Sequence, residues 1–136
     1  RKAQTGFLQH KPPLIFASDT DPDACRRLRV CVEKYGLSDA VRVYPKNFFD
    51  LHPRELADQT GIICINPPYG RRLGGKQESE KFFGAICDRL KQSYQGWKLA
   101  LFAPSRKLAD TVPFQTKSYP VLHGGLKLTL MVGKIQ

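Results

Sequence analysis

Nowhere does the chain approach the ~18 consecutive apolar residues of a membrane-crossing helix, and no signal peptide opens it. A membrane partner is therefore not expected. The four cysteines (Cys25, Cys31, Cys64 and Cys87) form no CxxC pair, and the three histidines are not at zinc-ligand spacing, so no metal site is expected. Each cysteine falls in an apolar pattern, where a free thiol acts as a small hydrophobe; reduced thiols suit a cytoplasmic protein. His10, His52 and His123 have no acidic partner in view, which leaves no basis for Ser-His-Asp chemistry. Methionine is confined to Met131. With no initiator, the 136 residues read as a piece of a longer protein. Acidic residues are scarce: 12 Asp and Glu stand against 22 Lys and Arg, a net charge of +10. Such a balance favours a polyanionic partner held through phosphates, with a merely solvated basic surface as the alternative. Neither repeats nor low-complexity segments occur.

What is present reads as one globular domain. Leu14-Ile15-Phe16-Ala17-Ser18 is a short apolar run expected to form a buried strand. Asp21-Pro22 then supplies an N-cap and a favoured first helical residue. Ala24, Leu28, Cys31, Val32 and Tyr35 recur at helical spacing, and Gly36 closes the helix. Residues 41–44 form a second strand, and residues 53–58 a short helical turn. Ile62-Ile63-Cys64-Ile65 has no polar position, as in a parallel strand covered on both faces. A Gly-rich basic loop at residues 71–76 precedes an amphipathic helix marked by Phe82, Phe83, Ile86, Cys87 and Leu90. Residues 98–103 form a fourth strand, and Ser105 caps a short helix through Ala109. Residues 119–123 and 126–132 flank Gly124-Gly125 as a hairpin. The alternation implies a three-layer α/β sandwich with a mostly parallel sheet and a C-terminal antiparallel hairpin.

Asn66-Pro67-Pro68-Tyr69 leaves the carboxyl end of the all-apolar third strand, where open α/β sheets bind ligands. An exocyclic amine on an aromatic ring is a poor nucleophile because its lone pair is delocalised. The Asn66 side-chain oxygen can accept one of its N–H groups. The Pro67 carbonyl, held outward by the stiff Pro67-Pro68 pair, can accept the other. Both acceptors favour the positive charge that develops on nitrogen during attack on a methyl group. Tyr69 offers a flat face for a base. The bland reading is a rigid turn in which Asn66 satisfies local backbone groups.

Asp19 ends the first strand, where a carboxylate can accept from a ribose diol; Thr20 follows it. A loop carboxylate capping the helix is the alternative. The Asn47 carbonyl can accept an adenine N–H, and Phe48 can pack on the ring, although Asn after a strand is commonly a turn residue. Arg71, Arg72 and Lys76 lie beside Tyr69 among glycines, suiting either a phosphate backbone or a solvated loop.

These residues resemble a known family. Phe16-Ala17-Ser18-Asp19-Thr20-Asp21-Pro22 is similar to the second motif of Rossmann-like class I methyltransferases. Asn66-Pro67-Pro68-Tyr69-Gly70-Arg71-Arg72-Leu73 resembles the extended NPPYGxRL motif of the THUMP-associated RNA guanine-N2 methyltransferases that act on bacterial large-subunit ribosomal RNA. Gly96-Trp97-Lys98-Leu99-Ala100-Leu101-Phe102 and the late Gly-Gly hairpin match as well. The resemblance implies S-adenosyl-L-methionine as cofactor and RNA as partner. By it, Asn66 and Pro67 hold the target amine, Tyr69 stacks the base, Asp19 binds the cofactor ribose, and Asn47 replaces the usual Asp at the adenine.

The family's Gly-rich cofactor loop, its first strand and its THUMP region have no counterpart here; residues 1–13 contain only Gly6. By the resemblance, the missing strand lies centrally, between the first and third strands named above. The chain is therefore expected to be a partial domain, with residues 1–13 as lead-in, that depends on an N-terminal portion of the same protein and binds cofactor weakly alone. Three other readings stay open: adenine-N6 methylation of DNA, glutamine methylation of protein, and a non-catalytic basic RNA-binding module.

Overall fold

The computed structural model describes residues 14–70 and 74–136. The lead-in and the Arg71 and Arg72 assignments lie outside the described residues. The chain divides into two compact units, residues 1–52 and 53–136.

The first unit holds β1 (Ile15–Ser18), α1 (Pro22–Lys34), β2 (Val41–Tyr44) and a 3-10 turn (Phe48–Asp50). The strands pair in parallel, Ile15 opposite Val41 and Ser18 opposite Tyr44. Helix α1 starts as its sequence dictates: Asp21 Oδ1 accepts the Asp23 N–H at 2.9 Å, and Pro22 opens the first turn. It ends on Gly36 at φ +67°, where Gly36 N–H returns to Glu33 O and Leu37 N–H to Val32 O. That is the Schellman arrangement, for which a glycine avoids left-handed strain. Only Cys25 and Val32 of α1 are buried. Leu28, Cys31 and Tyr35, expected in the apolar stripe, are exposed. Two strands make a platform only about 10 Å wide, too narrow to cover that whole stripe.

The second unit holds α2 (Pro53–Leu56), β3 (Ile62–Ile65), α3 (Lys76–Ser93), β4 (Lys98–Ala103), α4 (Arg106–Ala109), β5 (Thr116–His123) and β6 (Leu126–Lys134). Its sheet runs β3-β4-β6-β5, with β3 parallel to β4 and β6 antiparallel to both neighbours. Parallel strands joined by a helix, closed by an antiparallel hairpin, are what the residue pattern implied. On α3 the buried positions are Ser79, Phe83, Ile86, Cys87 and Leu90, spaced three or four apart on one stripe. On β4, Leu99, Leu101 and Ala103 alternate inward. Ile86, Leu90, Leu99, Leu101, Met131 and Ile135 are at most 1% exposed. Each such residue stabilises the fold by about 1.5–3 kcal/mol relative to exposure. Ser105 caps α4 through the Leu108 N–H at 3.3 Å.

The hairpin is longer than expected, because β5 begins at Thr116 and β6 continues to Lys134. Gly124 and Gly125, at φ +54° and +81°, form the two-residue turn that matches strand twist. Pro120 lies in β5, an edge strand, where its missing N–H is tolerated. Strand β3 corrects an expectation: Ile62 is 65% exposed and Cys64 is exposed too. Among the described residues its only strand partner is β4, so an all-apolar run here does not mean cover on both faces. Cys31 and Cys64 are consequently surface thiols, unlike the buried Cys25 and Cys87.

Candidate functional site

In the second unit, β3 stops at Ile65 because the residues that follow cannot extend a ladder. Pro67 and Pro68 lack N–H groups and hold φ fixed. Pro67 is buried, while Asn66 and Pro68 are exposed. Neither the Asn66 carboxamide nor the Pro67 carbonyl has a hydrogen-bond partner among the described residues. Among the described residues, two acceptors at the end of a parallel strand are thus unengaged. Tyr69 is fixed: its hydroxyl donates to the Phe102 carbonyl of β4 at 2.6 Å. The ring is half-buried, and burial pushes the phenol well above its ordinary pKa. At neutral pH it is a protonated donor.

The next peptide is held by a residue that the sequence reading missed. Gly70, at φ +59°, donates its N–H to Ser79 Oγ at 3.1 Å. Ser79 Oγ donates to the Gly75 carbonyl at 2.8 Å, and Gly75 N–H donates to the Gly70 carbonyl at 3.3 Å. Ser79 is 7% exposed. Nothing marks a serine inside an amphipathic helix as a loop anchor, although its place on the buried stripe among Phe83, Ile86 and Leu90 is a visible anomaly. Lys76 also needs correction: it is the first residue of α3, exposed, and not part of the preceding loop.

In the first unit, Asp19 and Asn47 follow the carboxyl ends of the adjacent parallel strands β1 and β2. Asp19 is exposed; its Oδ1 accepts the Asp21 N–H at 2.8 Å, and Oδ2 has no partner among the described residues. The carboxylate therefore braces the turn with one oxygen and presents the other. Thr20 is exposed in the same bend. A cleft of about 140 Å³ beside Asp19 is lined by Ala17, Ser18, Cys25, Leu28 and Val43 among others. Cys25, whose thiol lies 3.5 Å from the Asp19 carbonyl and 3.6 Å from that of Tyr44, braces the ends of both strands. Asn47 behaves as a turn residue: its Oδ1 accepts the Phe49 N–H at 3.0 Å and caps the 3-10 turn. The expected adenine acceptor is thus already engaged. Phe48 is half-buried and meets Phe49 edge-on at 5.3 Å between ring centroids.

A larger cavity of about 600 Å³ opens in the second unit between α4 and the start of β5, with Arg106, Asp110 and Lys117 on its wall. None of the candidate site residues read from the sequence lines it. Among the described residues no cluster of His, Cys, Asp and Glu could hold a metal ion.

Comparison with known proteins bears on this arrangement. Curated proteins called ribosomal RNA large subunit methyltransferase K/L are similar along 99% of this chain: 34% identical in Pseudomonas putida strain W619 and 33% in Pseudomonas entomophila strain L48. The chain spans 18% of the length of those relatives. Among solved structures, SMU.472 complexed with SAH superposes with a TM-score of 0.74 at 18% identity, over 90% of this chain and 32% of that one. A human methyltransferase 10 domain containing protein gives 0.64 at 14% identity, over 89% and 60%. At such identities the likeness establishes a methyltransferase-like α/β fold. A family model described as UPF0020, RMKL-like methyltransferase domain, matches residues 1–130, and the chain belongs to that family.

Proposed function

We propose that this chain is part of a methyltransferase domain that transfers a methyl group from S-adenosyl-L-methionine to the exocyclic N2 amine of guanine in RNA, specifically large-subunit ribosomal RNA. The observation that carries the reading is a pair of acceptors without partners among the described residues, the Asn66 carboxamide and the Pro67 carbonyl, at the carboxyl end of β3. Both accept N–H from the target NH2. They localise the nitrogen lone pair and favour the positive charge that builds on nitrogen as its new bond to carbon forms and the carbon–sulfur bond breaks with its electron pair left on sulfur. The surplus proton then leaves the nitrogen for solvent. Holding the nitrogen in line supplies the rest through proximity. Pro68 keeps the loop stiff, and the exposed part of the Tyr69 ring carries the base. The net charge of +10 suits a phosphate backbone, with Arg71, Arg72 and Lys76 beside the motif.

The cofactor, when bound, supplies an electrophilic methyl group on a sulfonium. Its nucleoside fits the first unit in part. The Asp19 carboxylate, whose Oδ2 has no partner among the described residues, would accept from the ribose diol, with Thr20 beside it. Phe48 would offer a ring to the adenine, and the second lone pair of Asn47 Oδ1 would be the remaining acceptor. A cleft of about 140 Å³ is small for a nucleoside, in keeping with residues 1–136 as a partial domain completed by an N-terminal, THUMP-bearing portion of the same protein. The similar fold of SMU.472 complexed with SAH supports the cofactor. The relatives' description as ribosomal RNA large subunit methyltransferases supports the substrate. A cytoplasmic location follows from that substrate.

The test is a substrate panel with the intact protein. Ribosomal RNA stripped of its modifications should accept methyl groups at guanine N2, read by nucleoside mass spectrometry. Duplex DNA and release-factor protein should not. Methylation of adenine N6 or of a glutamine instead would replace this reading with one of the two other amine chemistries.

A further inference from the structure

We infer that Ser79 is a positioning residue for the target-amine site, acting through the closed hydrogen-bond ring it forms with Gly70 and Gly75. The inference rests on the proposed methyl transfer and adds to it a residue outside the motif. The ring runs from Gly70 N–H to Ser79 Oγ, from the Ser79 hydroxyl to the Gly75 carbonyl, and from Gly75 N–H back to the Gly70 carbonyl, at 3.1, 2.8 and 3.3 Å. Ser79 N–H also donates to the Gly75 carbonyl at 3.2 Å. One hydroxyl therefore joins both ends of the 70–75 segment to the first turn of α3.

The consequence falls on Tyr69. On its side-chain end the ring is tethered to β4 through Phe102. On its main-chain end the following peptide is tethered to α3 through Ser79. A side chain fixed at both ends keeps one orientation, and that orientation sets where a stacked base presents its amine to Asn66 and Pro67. A serine that merely satisfied its own hydroxyl would stop at the bond to the carbonyl four residues back, here Gly75. Ser79 in addition accepts from Gly70, whose φ of +59° is a conformation that a glycine holds without strain. Its hydroxyl serves as acceptor and donor at once, which neither alanine nor cysteine reproduces well.

The intact protein is assayed in single-turnover methylation of unmodified ribosomal RNA, alongside RNA affinity and thermal stability. Ser79→Ala should lower the methylation rate about tenfold below its melting temperature, with RNA affinity within about twofold of wild type. Ser79→Thr, which keeps the hydroxyl, should recover most of the rate. Hydrogen exchange at the Gly70 amide should quicken in Ser79→Ala and not in Ser79→Thr. A folded Ser79→Ala with the wild-type rate would overturn the inference. Should Ser79→Ala not fold, the nearly isosteric Ser79→Cys decides: a slowed rate supports the ring, and a wild-type rate sinks it. Wild-type protein inactive on every RNA would instead fault the proposed reaction and leave the exchange measurement to judge the ring.

Discussion

Removing the Tyr69 hydroxyl and removing the Tyr69 ring are different experiments. Tyr69→Phe keeps the stacking face and loses the bond to the Phe102 carbonyl, at a net cost of about 0.5–1.5 kcal/mol. Tyr69→Ala also removes the face, worth ~1–3 kcal/mol per stacked base. Affinity for an RNA with an unpaired target guanine should therefore fall about 5- to 150-fold in Tyr69→Ala and little in Tyr69→Phe. Fluorescence anisotropy reads both, and unchanged affinity in Tyr69→Ala would refute stacking. The phenol's pKa is raised by burial, so the tether is complete below pH 10, the ordinary value, and is lost only as pH climbs through the raised one. The stability gap between wild type and Tyr69→Phe should accordingly stay constant from about pH 6 to 9. At this scale the sequence was readable where chemistry is local. Asn66 to Tyr69 follow an apolar strand, so their place at a strand end can be inferred. Asp21 and Ser105 cap helices as their residue types favour. Asn47 was ambiguous because an acceptor for a ligand and an acceptor for the next turn look alike until the 3-10 turn is seen. Ser79 was hidden because the partner it tethers, Gly70, lies nine residues upstream and outside its helix.

Among the elements, the hairpin carries the sharpest steric constraint. Gly133 of β6 lies between Leu99 of β4 and Thr116 of β5. A Cβ added there would collide with the Gln115 carbonyl and the Thr116 backbone and side chain. Backbone on an edge strand cannot rotate aside as a flexible side chain does, so β5 must shift. Gly133→Ala should lose about 1–3 kcal/mol, in the range of other overpacking changes. Gly84 of α3 is the control, with open space around its missing Cβ. Gly84→Ala should gain about 0.5–1 kcal/mol from helix propensity and the unfolded chain. Urea midpoints at equal m-values measure both, and a stable Gly133→Ala would contradict the register of the hairpin. Element order was legible because each strand is a short apolar run and each helix carries its own cap signals. Exposure was not. Ile62, Leu28 and Tyr35 have the residue types of core positions, yet their cover depends on partners that no local pattern specifies. The start of β5 at Thr116 was likewise invisible, since Lys117 and Ser118 are poor strand signals and pair only because β6 supplies a ladder.

For the whole molecule, the excess of cations over anions and the length of the relatives set the frame. In the proposed function, phosphate contacts would hold RNA without choosing a nucleotide, so affinity and chemistry are predicted to be separable. The proposed function gives the reaction to two acceptors of the second unit, and the cofactor's ribose to a carboxylate of the first. The decisive measurement is single-turnover methylation of unmodified ribosomal RNA by the intact protein carrying Asn66→Ala, with RNA affinity determined in parallel. The account predicts a rate about 10²- to 10³-fold below wild type, the usual effect of deleting one preorganised transition-state contact, with RNA affinity within about twofold because the phosphate contacts remain. A wild-type methylation rate in folded Asn66→Ala would contradict it.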